Sequence, residues 1–194
     1  MSKSIIIIGA GGVGREIAAT LRHVRFTDLK VLGFVDDNVK KGSFVNQWEV
    51  LGSIEWLVNN NENYSVIIAI GNPLIRKNII EKLGDAFSYP TIIHPNVSIH
   101  DIETVKIGNG CYIADGCIFT TDITIEDFCF INTGCSFQHD TFIKTNSVLM
   151  PGVRITGGAK IGKNTFIATG CTITNAVEVE DNSVIRYSIN NIYD

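Results

Sequence analysis

From residue 107 onward the chain places a large apolar residue at every sixth position, and few folds satisfy that period. The residues met are Ile107, Ile113, Phe119, Ile125, Ile131, Phe137, Ile143, Leu149, Ile155, Ile161, Ile167, Ile173, Val179 and Ile185. Three places after each anchor stand mostly glycine, asparagine and aspartate, from Gly110 to Asn182; Phe128 and Ala176 are the exceptions. These are residues that tolerate positive φ. Each unit therefore reads as a short strand followed by a left-handed turn residue. Hexapeptide periodicity of this kind predicts a parallel β-helix. Three units close one triangular coil, and coils stack at roughly 4.8 Å. The anchors point inward.

Four places after the anchors come small or β-branched residues: Ser147, Val153, Ala159, Thr165, Val177, Ser183 and all five cysteines, Cys111, Cys117, Cys129, Cys135 and Cys171. Cys111 and Cys129 should share a corner of adjacent coils, as should Cys117 and Cys135. Cysteine in such a column packs as a small hydrophobe. Side chains in register point the same way, which is poor geometry for a disulfide. No CxxC pair occurs, and no metal site is expected.

The first ninety residues lack the period and alternate apolar runs with amphipathic stretches. Strands are predicted over 4–8, 31–35 and 66–70, with a further short strand over 90–93. Helices are predicted over 13–24, 53–60 (capped by Ser53) and 73–83, where Pro73 opens the first turn. Strand–helix alternation implies a small parallel α/β sheet. The predicted domains are thus 1–89, an α/β nucleotide-binding domain, and 90–194, the β-helix.

Gly9-Ala10-Gly11-Gly12-Val13-Gly14 fits GxGxxG between a strand and a helix. Asp36 lies near the place, about 20 residues further on, where a ribose-binding acid is expected. Glycines let a backbone approach a pyrophosphate, and a helix N-terminus favours its charge. A tight strand–helix turn is the plainer alternative. Fewer than a hundred residues precede the coils, enough for about half of a dinucleotide fold. A nucleotide sugar therefore suits the space better than NAD. The third strand ends at Gly71-Asn72, and Arg76 lies in the next helix. Ligands bind at the carboxyl edge of such sheets; Arg76 could instead be a solvated helix residue.

Net charge is -4 and the pI about 5.5, which excludes a strongly basic nucleic-acid footprint. Hydrophobic residues make up 45% of the chain, so it is not disordered. The apolar run over 5–8 is too short for a membrane span, and it leads into glycines rather than a cleavage site. The chain is expected to be soluble and cytoplasmic.

Of four histidines, His23 ends a predicted helix, and His94 and His100 stand where the coils begin, where turn roles are expected. His139 lies two places after Phe137. That slot otherwise holds Asn109, Asp115, Thr121, Asp127, Thr133, Thr145, Pro151, Gly157, Lys163, Thr169, Asn175 and Asp181, so it faces outward at a corner. A neutral histidine beside an acid, here Asp140, can act as a general base near neutral pH. An ordinary surface histidine is the alternative. Gly157 fills the same slot three units later, one coil further along the same corner. Its backbone, with that of Gly158, is a candidate oxyanion site; turn geometry alone is the alternative.

The motifs GAGGVG at 9–14, FVDDN at 34–38, AIGNPLIRK at 69–77, IHP at 93–95 and INTGCSFQHD at 131–140 span nearly the whole chain. Together they resemble the sialic acid O-acetyltransferase family of hexapeptide-repeat sugar acyltransferases. That family includes enzymes that acetylate UDP- or dTDP-linked 4-amino-4,6-dideoxy sugars. The resemblance implies a left-handed β-helix, a homotrimer with sites between subunits, and acetyl-CoA as co-substrate along the coils. It implies His139 as base, Asp140 as its acidic partner, Gly157 and Thr169 at acetyl-CoA, and Gly11, Gly12, Asp36 and Asp37 at the nucleotide sugar. The chain departs from the family in three places. Val13 and Val148 stand where many relatives have histidine, and a C-terminal Pro-Ala-Lys segment is missing. The last two departures bear on coenzyme affinity and on the acyl donor. The implied activity is N-acetylation of a nucleotide-linked amino sugar in surface glycan synthesis. Sugar O-acetylation, a non-catalytic trimeric scaffold and an NAD-dependent oxidoreductase are the alternatives. The oxidoreductase is disfavoured because only half a dinucleotide fold is present.

Overall fold

The protein is described by a computed structural model covering residues 3–23, 29–60 and 64–190. It divides into two compact units. One comprises Met1–Gly71 and Ile75–Pro90, the other Asn72–Leu74 and Thr91–Asp194.

In the first unit, an unbroken isoleucine run makes strand β1 (Lys3–Ile8), whose Ile5 to Ile8 are all buried. It is followed by α1 (Gly12–His23), β2 (Leu29–Val35), β3 (Phe44–Val45), β4 (Trp48–Gly52), α2 (Ile54–Asn59), β5 (Ser65–Ile68) and α3 (Pro73–Leu83). Val24 and the side chain of His23 lie outside the described residues. The sheet order is β3-β4-β2-β1-β5, with β3 antiparallel to β4 and the other pairings parallel. Continuous burial of β1 and β5 on both faces is the mark of a parallel sheet. Sequence periodicity gives three parallel strands here; the structure has four. The additional β4 arrives through a tight hairpin in which Asn46 adopts φ 54°, a conformation asparagine tolerates. The predicted helix over 53–60 forms with Ser53 as its cap, the Ser53 hydroxyl accepting from Trp56 N–H at 3.2 Å.

The second unit is the expected parallel β-helix. Among the described residues, sixteen two-residue strands run from Ile92–Ile93 to Val184–Ile185 and form three parallel sheets of five, five and six strands. Through the regular coils each strand pairs with the one three units further on, as in Ser136↔Arg154 and Phe137↔Ile155. All anchors from Ile113 to Val179 are buried, and Phe119 stacks on Phe137 with ring centroids 4.7 Å apart. The coils begin earlier than the period shows. Ile93 pairs with Ile113 and Ile99 with Phe119, two places more than one regular coil. The predicted strand over 90–93 is thus the first strand of the β-helix, and the extra places fall in the bend at 101–105.

The left-handed slot holds without exception. From Gly110 to Asn182, all thirteen residues have φ between 53° and 72°, including Phe128 at 60° and Ala176 at 58°. The ladder of the coil imposes this conformation even where the side chain disfavours it. In one column of that slot, Asn146 Nδ2 donates to Asn164 Oδ1, and Asn164 Nδ2 to Asn182 Oδ1, both at 3.0 Å.

The cysteines are free and buried, and they do more than fill space. Cys111 Sγ donates to Glu126 O and Cys117 Sγ to Asn132 O, both at 3.2 Å; Cys129 Sγ donates to Lys144 O at 3.4 Å and Cys135 Sγ to Met150 O at 3.3 Å. Ser147 Oγ makes the equivalent bond to Gly162 O at 2.8 Å. Each joins one coil to a carbonyl of the next, where a thiol serves as a weak hydroxyl.

Candidate functional site

Two chemically distinct places emerge, one in each unit. In the first, β1, β2 and β5 all end at the same edge, and β2 and β5 flank β1 on opposite sides. Such a reversal of strand order opens a crevice at the carboxyl edge. A cavity of about 600 Å³ lies there, lined among others by Gly11, Gly12, Asp36, Asp37, Gly71 and Lys82. A Cβ on Gly11 or Gly12 would meet nothing within 4 Å, whereas one on Gly14 would lie 1.9 Å from Gly9 O. The glycines of the motif thus divide by role. Gly14 is needed for helix–strand packing, and Gly11 and Gly12 leave an open floor at the start of α1.

The acids of the FVDDN motif brace this floor. Asp36 Oδ2 accepts from Ala10 N–H at 2.9 Å, and its Oδ1 from Asn38 N–H at 2.8 Å. Asp37 Oδ1 accepts from Ile54 N–H at 2.8 Å, at the start of α2. A carboxylate has about four acceptor positions, so both retain capacity toward a ligand.

One expected contact is corrected. Arg76, read as a ligand contact or a solvated helix residue, is 1% exposed and absent from the cavity lining. Its guanidinium donates to Ile68 O at 2.5 Å and Ile70 O at 3.3 Å. It satisfies carbonyls where β5 stops pairing, a need that backbone polar groups always have when buried. Asn72 is exposed and caps α3, its Oδ1 accepting from Leu74 N–H at 2.9 Å. From α3 it is Ile75, Asn78, Ile79 and Lys82 that line the cavity. Their spacing of three and four places marks one helical face, a signal present in the sequence. Val13 lines the same cavity.

In the second unit, His139 and Asp140 project from a corner with side chains 61% and 67% exposed. Asp140 sits in the left-handed slot at φ 59°, and its Oδ2 lies 2.8 Å from His139 Nδ1. A carboxylate only accepts, so Nδ1 carries the proton, and in the neutral ring Nε2 then presents its lone pair. Above the ring lies Gly157. A Cβ on Gly157 would stand 2.5 Å from His139 Cε1 and 2.7 Å from Nε2.

Of the two glycine amides at the candidate oxyanion site, one is already bonded. Gly158 N–H donates to His139 O at 2.9 Å within the ladder, so it is not available to a ligand. Gly157 N–H takes no partner among the described residues. Thr169 is exposed but stands two units beyond Gly157, and so at another corner. One chain does not bring Thr169 and Gly157 together.

His94 takes a structural role. His94 Nδ1 accepts from Asn96 N–H at 3.2 Å, closing the turn expected there, with Asp115 Oδ1 also 3.2 Å away. Val148 is fully buried. No group of three or more potential metal ligands occurs among the described residues, and no helix among them is long and apolar enough to cross a membrane.

Comparison with known proteins agrees with this architecture. Residues 4–83 match the PglD N-terminal domain family, and residues 140–175 match the bacterial transferase hexapeptide family. The coils are therefore a left-handed parallel β-helix of hexapeptide repeats. The first unit thus matches a PglD-type N-terminal domain, and part of the second matches the hexapeptide repeats. No curated protein matches the chain. Among solved structures it is similar to a mutant perosamine N-acetyltransferase from Caulobacter crescentus in complex with CoA and GDP-perosamine. That likeness has 24% identity and a TM-score of 0.79, covering 96% of this chain and 90% of the other. It is also similar to WeeI from Acinetobacter baumannii AYE, at 22% identity and a TM-score of 0.65, covering 97% and 93%. At these identities the likeness establishes the fold.

Proposed function

We propose that the protein is an acetyl-CoA-dependent N-acetyltransferase acting on the 4-amino group of a nucleotide-linked 4-amino-4,6-dideoxy sugar. The observation that carries this reading is the His139–Asp140 pair, with Nδ1 tied to the carboxylate and Nε2 open at an exposed corner. Support comes from the similar Caulobacter structure, which holds CoA and a nucleotide-linked sugar.

The chemistry follows from the geometry. The neutral sugar amine attacks the thioester carbonyl of acetyl-CoA, and His139 Nε2 takes the proton the nitrogen loses. Asp140 stabilises the imidazolium that forms, as a carboxylate on the far nitrogen does in a catalytic triad. Gly157 N–H faces the developing oxyanion. The tetrahedral adduct collapses, the C–S bond breaks, and the imidazolium returns the proton to the departing thiolate. No acyl-enzyme forms, so the buried cysteines have no part. The cavity floored by Gly11 and Gly12 receives the nucleotide, with Asp36, Asp37 and Gly71 around it.

The coenzyme would lie between copies of the chain in a homotrimer. Placement of Gly157 and Thr169 on different corners fits a site completed by a neighbouring copy.

The test is acetyl transfer from acetyl-CoA to a panel of UDP-, dTDP- and GDP-linked amino sugars, read as free thiol released. His139→Ala should lower turnover by about 10²- to 10⁴-fold. Near-normal turnover in that variant removes His139 from the mechanism, and absence of thiol release with every acceptor removes the activity.

A further inference from the structure

We infer that Gly157 is a positioning residue for the base, and that its missing side chain decides where the His139 imidazole lies. The inference rests on the acetyl-transfer reading and goes beyond it, because the role assigned is steric and separate from the Gly157 amide.

The outward slot two places after each anchor accepts almost anything. It holds aspartate, threonine, asparagine, lysine and even proline at Pro151. Backbone geometry therefore does not call for glycine there, and Gly157 has none of the positive φ seen at Gly158 (72°). Yet among the thirteen residues of this slot from Asn109 to Asp181, Gly157 is the one glycine and His139 the one histidine. The three-unit coil makes these two singular residues vertical neighbours.

Contact between them is closer than any side chain allows. A Cβ at residue 157 would lie 2.5, 2.7 and 3.1 Å from Cε1, Nε2 and Nδ1 of His139. All three approach the imidazole, so the ring lies across the Gly157 α-carbon. Asp140 Oδ2 holds one edge of the ring at 2.8 Å. Gly157 leaves open the space the ring occupies, and the two together fix its plane. Any larger residue would push the exposed ring outward and break its alignment with Asp140. The coil itself would stand, because the same slot carries a Cβ in the other units.

Gly157→Ala tests this in the full-length protein. Imidazole resonances of His139 in ¹⁵N- and ¹³C-histidine-labelled protein, assigned with His139→Ala, should shift in Gly157→Ala, and the bonded Nδ1 proton should be lost. Unchanged His139 resonances in folded Gly157→Ala overturn the proposal, whatever the activity. With an acceptor that supports turnover, Gly157→Ala should lower kcat by about 10- to 100-fold, with KM for both substrates within about two-fold. In a His139→Ala background the same change should cost clearly less than it does with His139 present. An equal loss in both backgrounds means that Gly157 acts through its amide or the coenzyme, and overturns the proposal. Failure of acetyl transfer with every acceptor would remove the proposed activity, while the resonances would still decide the placement of the ring.

Discussion

Asp36 Oδ2 accepts a hydrogen bond from Ala10 N–H at 2.9 Å, between positions far apart in the chain. One side chain thus ties the end of β2 to the glycine turn that follows β1. An acid near this position is usually read as a ribose ligand; here the same carboxylate is also a fastening of the cavity floor. Asp36→Ala leaves Ala10 and Asn38 N–H groups without their acceptor and should cost about 1–3 kcal/mol. Asp36→Asn, which keeps one acceptor oxygen, should cost less. Urea denaturation of the two variants checks the order, and equal stability in both would refute the fastening role.

Arg76 leads to a different expectation. Replacement by methionine keeps much of the stem volume but leaves the carbonyls of Ile68 and Ile70 without their guanidinium partner. A loss of about 2–4 kcal/mol is expected, seen as a lower denaturant midpoint. Binding of a nucleotide sugar to the protein that remains folded should change little, because Arg76 does not line the cavity.

What the sequence discloses depends on how locally each feature is encoded. The coils are legible because the units repeat one demand, an inward anchor and a left-handed residue, thirteen times over. The first coil escapes the pattern because its bend at 101–105 adds two places and breaks the count. Strand β4 escapes it because a short segment beside an exposed Phe44 carries no alternation. Of the candidate site, the turn glycines, Asp36 and the outward place of His139 are legible from spacing, whereas Asp37 and the role of Asp140 are reached only through the family resemblance. Arg76 is not, since burial of a charged residue is decided by carbonyls on another element. Gly157 is visible as a neighbour of His139, but the overlap of its missing Cβ with the ring is visible only in three dimensions.

Asp140→Asn probes the tautomer of the base. An amide can donate to Nδ1 as readily as accept from it, so the proton is free to move to Nε2 and block it. Turnover should fall by about 10²-fold or more, with KM for the nucleotide sugar held. A fall confined to KM would instead assign Asp140 to substrate binding.

Asp101 governs the bend beneath the same corner. Its Oδ2 accepts from Thr104 Oγ1 at 2.8 Å and Thr121 Oγ1 at 3.1 Å, and its Oδ1 from Glu103 N–H at 3.1 Å. The Thr104 hydroxyl, then the Glu103 amide, hold its carboxyl below the ordinary 3.8. A depressed carboxyl stabilises the fold above its unfolded value and loses that contribution as pH falls through the folded one. Exchange protection of the amides over 101–105 should therefore drop on acidification below about pH 4, and Asp101→Asn should flatten that dependence. Unchanged protection in the acid range would refute it.

The three-unit winding also sets a reading frame for the chain's own evolution. Loss or gain of one whole coil beyond residue 157 would leave His139 and Gly157 facing one another. Removal of a single hexapeptide between them would rotate everything downstream by a third of a turn, bringing Lys163 over the imidazole in place of Gly157. Length variation in this molecule is thus confined to complete turns or to bends such as 101–105, where extra residues leave the winding undisturbed.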